Sequence, residues 1–262
     1  MCPPTTPKRH FITAVFSFFL FVYAGASASA QVIIPGSSVT YTYESGSSNA
    51  FIPGTPLVVS TPDDSTLSFF PTGARGDLAA SGYDIGVASA VVSISMDANA
   101  GYWFSGTALS LSSKLNYSLA APSIGSEAGI TFSVPFTLYV TGVDGNAFGS
   151  PSLQLTNNMI ISPSFVVING PTNFQSGAIF GSSSIDINTI KAHFGIGSTN
   201  NVTGMRVQLS PSGTAWAQQG TVSASLVNFD VANQVVPEPS TYALLLLGLG
   251  AAGIALYRRR KA

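Results

Sequence analysis

From Gln31 to Val236, apolar and polar residues alternate in short runs broken by Gly, Pro, Asn and Ser. Ser38-Val39-Thr40-Tyr41-Thr42-Tyr43 repeats with period two, as do Ala90 to Met96 and Thr107 to Ser112. That period marks half-buried strands, because successive side chains of an extended chain point to opposite faces. Ile130 to Val134 and Phe136 to Val140 continue the pattern around Pro135, where the missing N–H predicts a bulge or an edge strand. Phe165 to Ile168, Met205 to Leu209 and Val222 to Phe229 add further runs. Turn signals separate them at Pro53-Gly54, Asp144-Gly145-Asn146, Asn169-Gly170-Pro171 and Ser212-Gly213. The one helical spacing, Ile185, Ile187, Ile190 and Phe194 after Asp186 as a start, predicts a short helix at most. Many strands without intervening helices predict an all-β body, an antiparallel β-sandwich or jelly roll. One domain is the simplest reading, and two smaller sandwiches are the alternative.

The two ends follow other patterns. Lys8-Arg9-His10 precedes an apolar run from Phe11 to Tyr23, and Ala26-Ser27-Ala28 and Ala28-Ser29-Ala30 both fit small-x-small cleavage. This reads as a secretory signal peptide over residues 1–30, since the run is only about 20 Å long as a helix. Cys2, the only cysteine, lies before the run, so cleavage leaves no thiol for disulfides, catalysis or metal ligation. At the other end, Val236-Pro237-Glu238-Pro239 leads into an uncharged run between Tyr242 and Tyr257, closed by Arg258, Arg259, Arg260 and Lys261. The prolines predict a stiff, extended segment open to an enzyme. The apolar run predicts a transmembrane helix of about 24 Å with its basic end in the cytoplasm.

This tripartite tail, residues 236–262, resembles the PEP-CTERM sorting signal of Gram-negative bacteria that make extracellular polysaccharide. The resemblance implies recognition and cleavage by a membrane-embedded exosortase after signal peptidase has acted. It further implies transient residence in the inner membrane, then delivery to the envelope or matrix. It leaves residues 31–235 as an extracytoplasmic body whose activity it does not specify.

Charge narrows that activity. The 262 residues include 10 Lys+Arg and 11 Asp+Glu, about 8% charged. Between residues 31 and 236 only Arg75, Lys114, Lys191 and Arg206 face ten acids, which argues against binding a nucleic-acid backbone. The one histidine there, His193, lacks the G-x-S-x-G context of a serine hydrolase, and a zinc site needs more ligands than it can supply. No cofactor or metal is expected. Glycoside hydrolysis needs two carboxylates, and Glu44 and Glu127 are the only glutamates available. Asp63-Asp64 and Asp144-Gly145-Asn146 lack the spacing of a calcium loop and read first as turns; Arg75-Gly76-Asp77 reads as a polar loop. Aromatics are more suggestive, because an exposed Tyr or Trp can stack on a sugar ring. Tyr41, Tyr43, Tyr102, Trp103 and Trp216 are the candidates, with core packing the competing reading and Phe104 or Trp103 bound to point inward. The two terminal signals and the poverty of catalytic residue types together suggest a non-enzymatic structural protein of the envelope or exopolysaccharide matrix. A carbohydrate-binding module is the alternative, and a glycoside hydrolase is a more distant one.

Overall fold

The computed structural model describes residues 31–45, 66–69, 77–89, 91–149 and 153–238. The signal segment, the Pro53-Gly54 and Asp63-Asp64 turns, Arg75-Gly76, Pro239, the apolar run and the basic tail Arg258 to Lys261 lie outside these residues. In chain order the first strands are β1 (Gln31–Pro35), β2 (Val39–Ser45), β3 (Thr66–Phe69), β4 (Asp77–Ser89), β5 (Val92–Ala98), β6 (Tyr102–Phe104), β7 (Thr107–Ala121), β8 (Glu127–Ser133) and β9 (Pro135–Val143). There follow β10 (Asn146–Ala147), β11 (Leu155–Asn158), β12 (Ile160–Ser162), β13 (Phe165–Asn169), β14 (Asn173–Asp186), the helix α1 (Ile187–Phe194), β15 (Val202–Leu209), β16 (Ser212–Ala232) and β17 (Val235–Pro237).

The strands form two main antiparallel sheets and a short ribbon. The first sheet runs β1-β2-β5-β15-β9-β10, with β11 also on β9. The second runs β12-β14-β7-β16-β8-β13, with β3 and β4 along the other side of β16. The inner faces share one core, to which the first sheet gives Tyr43, Ile94, Met96, Phe136 and Val207 and the second Leu111, Leu115, Ile130, Phe229 and Val231. These are apolar members of alternating strands, so period two assigns the core face of those strands. Ribbon β6–β17 is tied to the body by Phe104, which is fully buried.

Local chemistry sets the ends of the elements. Asp186 caps α1 by accepting from the Asn188 N–H at 2.7 Å, and Gly195 closes it in the left-handed conformation at φ 67°. Pro135 is neither a bulge nor an edge residue. It opens β9 where the chain passes from the second sheet to the first, a place where a missing N–H costs no ladder bond. Ser212-Gly213 is likewise not a turn: Pro211 follows the end of β15, and both residues already belong to β16.

One line of irregularity crosses the second sheet. The 21-residue β16 pairs through Ser212–Gln218 with β8 and through Thr221–Ala232 with β7, so β7 and β8 lie end to end. β13 and β14 lie end to end beside them. The breaks share one level: residues 122–126, residues 170–172, a bulge at Gln219 (φ 53°), and Gly82 (φ 72°) in β4. At the seam, Ser126 Oγ donates to the Ser123 carbonyl at 2.6 Å, and the Gly170 N–H donates to the Ser126 carbonyl at 2.8 Å. Bulges of this kind bend a sheet and re-aim its side chains. The short end beyond this line, built from β4, β8, β13 and the start of β16, carries the groove described next.

Candidate functional site

Two features stand out, the strand that begins the C-terminal motif and a groove on the outer face of the second sheet. Asn233 is buried and donates from Nδ2 to the Tyr41 hydroxyl at 2.6 Å. The Gln234 carbonyl accepts from the Ser105 N–H at 2.9 Å, and its Oε1 accepts from the Thr107 N–H at 3.2 Å. Val236 then pairs with Trp103 and Pro237 with Tyr102, and the Glu238 N–H donates to the Gly101 carbonyl at 2.7 Å. The expectation of an open segment is therefore corrected as far as Glu238. The chain is extended there, as two prolines require, but half-buried and laddered to the body, because Val235-Val236 favours a strand and Pro237 ends it without needing a donor.

Trp216 builds the groove. On the outer face of the sheet, Trp216 lies between Ile85 of β4 and Gly129 of β8, and Gln218 lies between Tyr83 and Glu127. The indole covers Gly129 so closely that a Cβ there would fall 2.1 Å from Trp216 Cζ2. Its Nε1–H donates to Glu127 Oε1 at 2.8 Å, which fixes the ring orientation. Tyr83, Asp84, Ile85, Glu127, Trp216, Ala217 and Gln218 line a cavity of about 580 Å³ with no cationic side chain. Glu127 is the acid on the face of Trp216, whereas Asp84 belongs to the alternate set of β4 and its Oδ1 accepts from the Ile85 N–H at 2.8 Å. Gln219 Nε2 donates to the Tyr83 hydroxyl across the bulge. Apolar side chains continue outward: Tyr83 is 71% exposed and Ile85 67%, with Val87 and Phe165 also exposed.

The other candidates fall elsewhere. Tyr41 and Tyr43 are 2% and 1% exposed, so neither offers a ring face to a sugar, and burial raises the Tyr43 pKa. Both lie on the inward set of β2, where alternation alone places them once the outward set is polar. Tyr102 and Trp103 are half-buried beside the motif strand, while Phe104 points inward. The five aromatics are thus not brought together, and only Trp216 lies in the groove. Glu44 belongs to the first sheet and Glu127 to the second, which separates the two glutamates proposed as a pair. His193 lies on α1, its Nε2 at 3.0 Å from the Gln154 carbonyl and its ring edge against Phe194. Among the described residues, no three His, Cys, Asp or Glu side chains cluster as a metal site would require.

Asp144 is a clamp. Its carboxylate accepts from Asn200 Nδ2 at 2.6 Å and from the Asn201 N–H at 2.8 Å, which ties the β9–β10 turn to the start of β15. The Asn201 backbone bond, then the Asn200 side chain, lower its pKa. A carboxylate whose pKa falls on folding adds stability above its unfolded value, about 3.9, and loses it as pH falls through the folded value. Asp144→Asn is therefore expected to lower the urea midpoint at pH 6. The gap to the native protein should narrow as the pH falls below the ordinary carboxylate range and through the lowered folded value; a gap that does not change with acidification would contradict the clamp.

Sequence reasoning missed Tyr83 and Ile85, although a signal was present. In β4, Tyr83, Ile85 and Val87 alternate with Gly82, Asp84, Gly86 and Ala88, and period two would turn the large apolar set inward. The fold does the reverse: Ala80 and Ala88 are buried, and the large residues face out. A strand whose small residues face the core and whose aromatics face water departs from ordinary patterning, and such departures concentrate at functional surfaces.

Residues 235–261 match the model of the PEP-CTERM protein-sorting motif. No curated protein matches the chain. Similar solved structures include TmCBM61 in complex with β-1,4-galactotriose, at 8% identity over 64% of this chain and 70% of that one, with a TM-score of 0.19. Another is a loop-swap mutant of Necallimastix patriciarum Xyn11A, at 13% identity over 80% of this chain and 98% of that one, with a TM-score of 0.21. A structure of the Gx strain of infectious bursal disease virus has 14% identity over 78% of this chain and 52% of that one, with a TM-score of 0.20. Scores this low establish no common fold.

Proposed function

We propose that this chain, which ends in a PEP-CTERM protein-sorting motif and is thereby an exported protein sorted through the membrane, is a non-catalytic structural component of the cell envelope or extracellular matrix. The motif is the observation that carries the reading. An exosortase cleaves the chain near Pro237-Glu238-Pro239, the apolar run and Arg258 to Lys261 hold it in the inner membrane until then, and the β body is delivered outward to the exopolysaccharide matrix. Glu44, Glu127 and His193, the residues weighed for catalysis, lie on separate elements. Fractionation of cells making the native chain, or one with Pro237, Glu238 and Pro239 all changed to Ala, tests the reading. The native body is expected outside the inner membrane and the variant retained in it. Equal release of both would refute sorting by the motif.

A second reading, that the body binds the matrix polysaccharide, is favoured by one observation. Trp216 presents a ring in an open groove equipped with carboxylate and amide hydrogen-bonding groups. The two readings are compatible, because a matrix protein that binds its polymer remains non-catalytic.

A further inference from the structure

We infer that the groove at Trp216 is a binding site for a neutral pyranose glycan, which stacks a sugar ring on the indole and is discriminated against when the polymer is acidic. The inference deepens the glycan-binding reading and rests on it. Three independent features converge.

First, the ring is built as a platform. Gly129 lets the indole lie down on the sheet, and Glu127 holds its N–H, so the ring is oriented before any ligand arrives. Orientation in advance reduces the ordering cost of binding. A pyranose presents axial C–H groups on its faces and hydroxyls around its rim, which suits a flat aromatic surface bordered by polar groups.

Second, the border has the right groups. Gln218, between Tyr83 and Glu127, supplies both an amide donor and an acceptor, and the Glu127 carboxylate has acceptor capacity left beside its bond to the indole. Tyr83 extends the aromatic surface toward the open edge, where Gln219 holds its hydroxyl. A purely apolar partner would leave these polar groups without water or replacement bonds, at a cost for each.

Third, the charge selects. The lining holds two carboxylates and no Lys, Arg or His. The described cations lie elsewhere: Arg206 stacks over Tyr139 on the first sheet, Lys114 lies over Phe180 on β14, and Lys191 bonds the Ser198 carbonyl. A polyuronate entering here would set its carboxylates against Glu127, with Asp84 also on the lining and no cation to offset them, and like charges set against each other disfavour binding.

The test is calorimetric titration of the purified full-length protein with β-1,4-linked hexaoses of glucose, xylose and galactose, and with oligogalacturonate. At least one neutral hexaose is expected to bind and oligogalacturonate to bind at least tenfold more weakly. Trp216→Ala should weaken the neutral ligand more than tenfold. Tyr83→Ala should weaken it several-fold; that side chain is 71% exposed, so its removal leaves the fold intact even if the Trp216 variant does not fold. Gly129→Ala, which lifts the ring without deleting it, should weaken binding as well. Saturable binding that survives both aromatic changes would overturn this site while leaving a glycan-binding body standing. Absence of binding to any of the four probes would overturn both, and a preference for oligogalacturonate would overturn the ligand class.

Discussion

Phe104→Ala should destabilise the body by about 3–5 kcal/mol, the range for deleting a fully buried phenyl ring. Phe104 is 1% exposed and is the core residue of β6, the strand that holds Val235–Pro237. Loss of the ring removes the one fully buried side chain of a three-residue strand, so the effect is local as well as global. Limited proteolysis of the variant should open the chain around residues 235–238 before the sheets are cut. Chemical denaturation supplies the stability change, and a loss under about 1 kcal/mol would mean that the ribbon is not anchored through Phe104. The functional consequence concerns the first residues of the sorting motif: with the ladder broken, residues 235–238 lose their pairing with β6 and become more accessible to a protease.

Gly170→Ala is expected to cost about 3 kcal/mol, at the upper end of overpacking penalties, because the new methyl has no flexible neighbour to displace. A Cβ at residue 170 would sit 1.8 Å from the Ser123 carbonyl oxygen, which is backbone, and 2.7 Å from Ser126 Oγ. Relief requires opening the seam where Gly170 donates to the Ser126 carbonyl. For a domain of this size that penalty corresponds to a fall in Tm of about 6–12 °C. The proposed glycan binding should weaken with it, because the seam sets the position of β8, whose Gly129 lies against the Trp216 ring. An unchanged Tm would show that the break between β13 and β14 is not a fixed corner.

Much of the fold was legible because strands with one buried face write their period into the sequence. The runs at Val39 to Tyr43, Val92 to Met96 and Val222 to Phe229 all became strands with the apolar set inside. The short helix was legible from Asp186 and the spacing of Ile187, Ile190 and Phe194. Strand pairing was not, since period two says which face is buried and nothing about the neighbour. The end-to-end arrangement of β7 with β8 along β16 depends on a bulge at Gln219 and on the connection at residues 122–126, both of which resemble ordinary turn composition. The sorting motif was read directly, because its recognition depends on a local string of residues. Its pairing with Tyr102 to Phe104 was invisible, being a contact across more than a hundred residues. Trp216 was a candidate on residue type alone. Its partners were hidden: Glu127 appeared as a possible acid, whereas the fold makes it the acceptor that orients the indole. Tyr83 was passed over because its strand inverts the usual pattern.

The most direct measurement is the intact mass of the native protein recovered from outside the inner membrane. Export with C-terminal processing predicts a species that lacks the signal segment and the residues after the Pro237-Glu238-Pro239 motif, and that disappears when the motif is replaced by alanines. A recovered species that still includes Arg258 to Lys261, in the same amount with or without the motif, would contradict it.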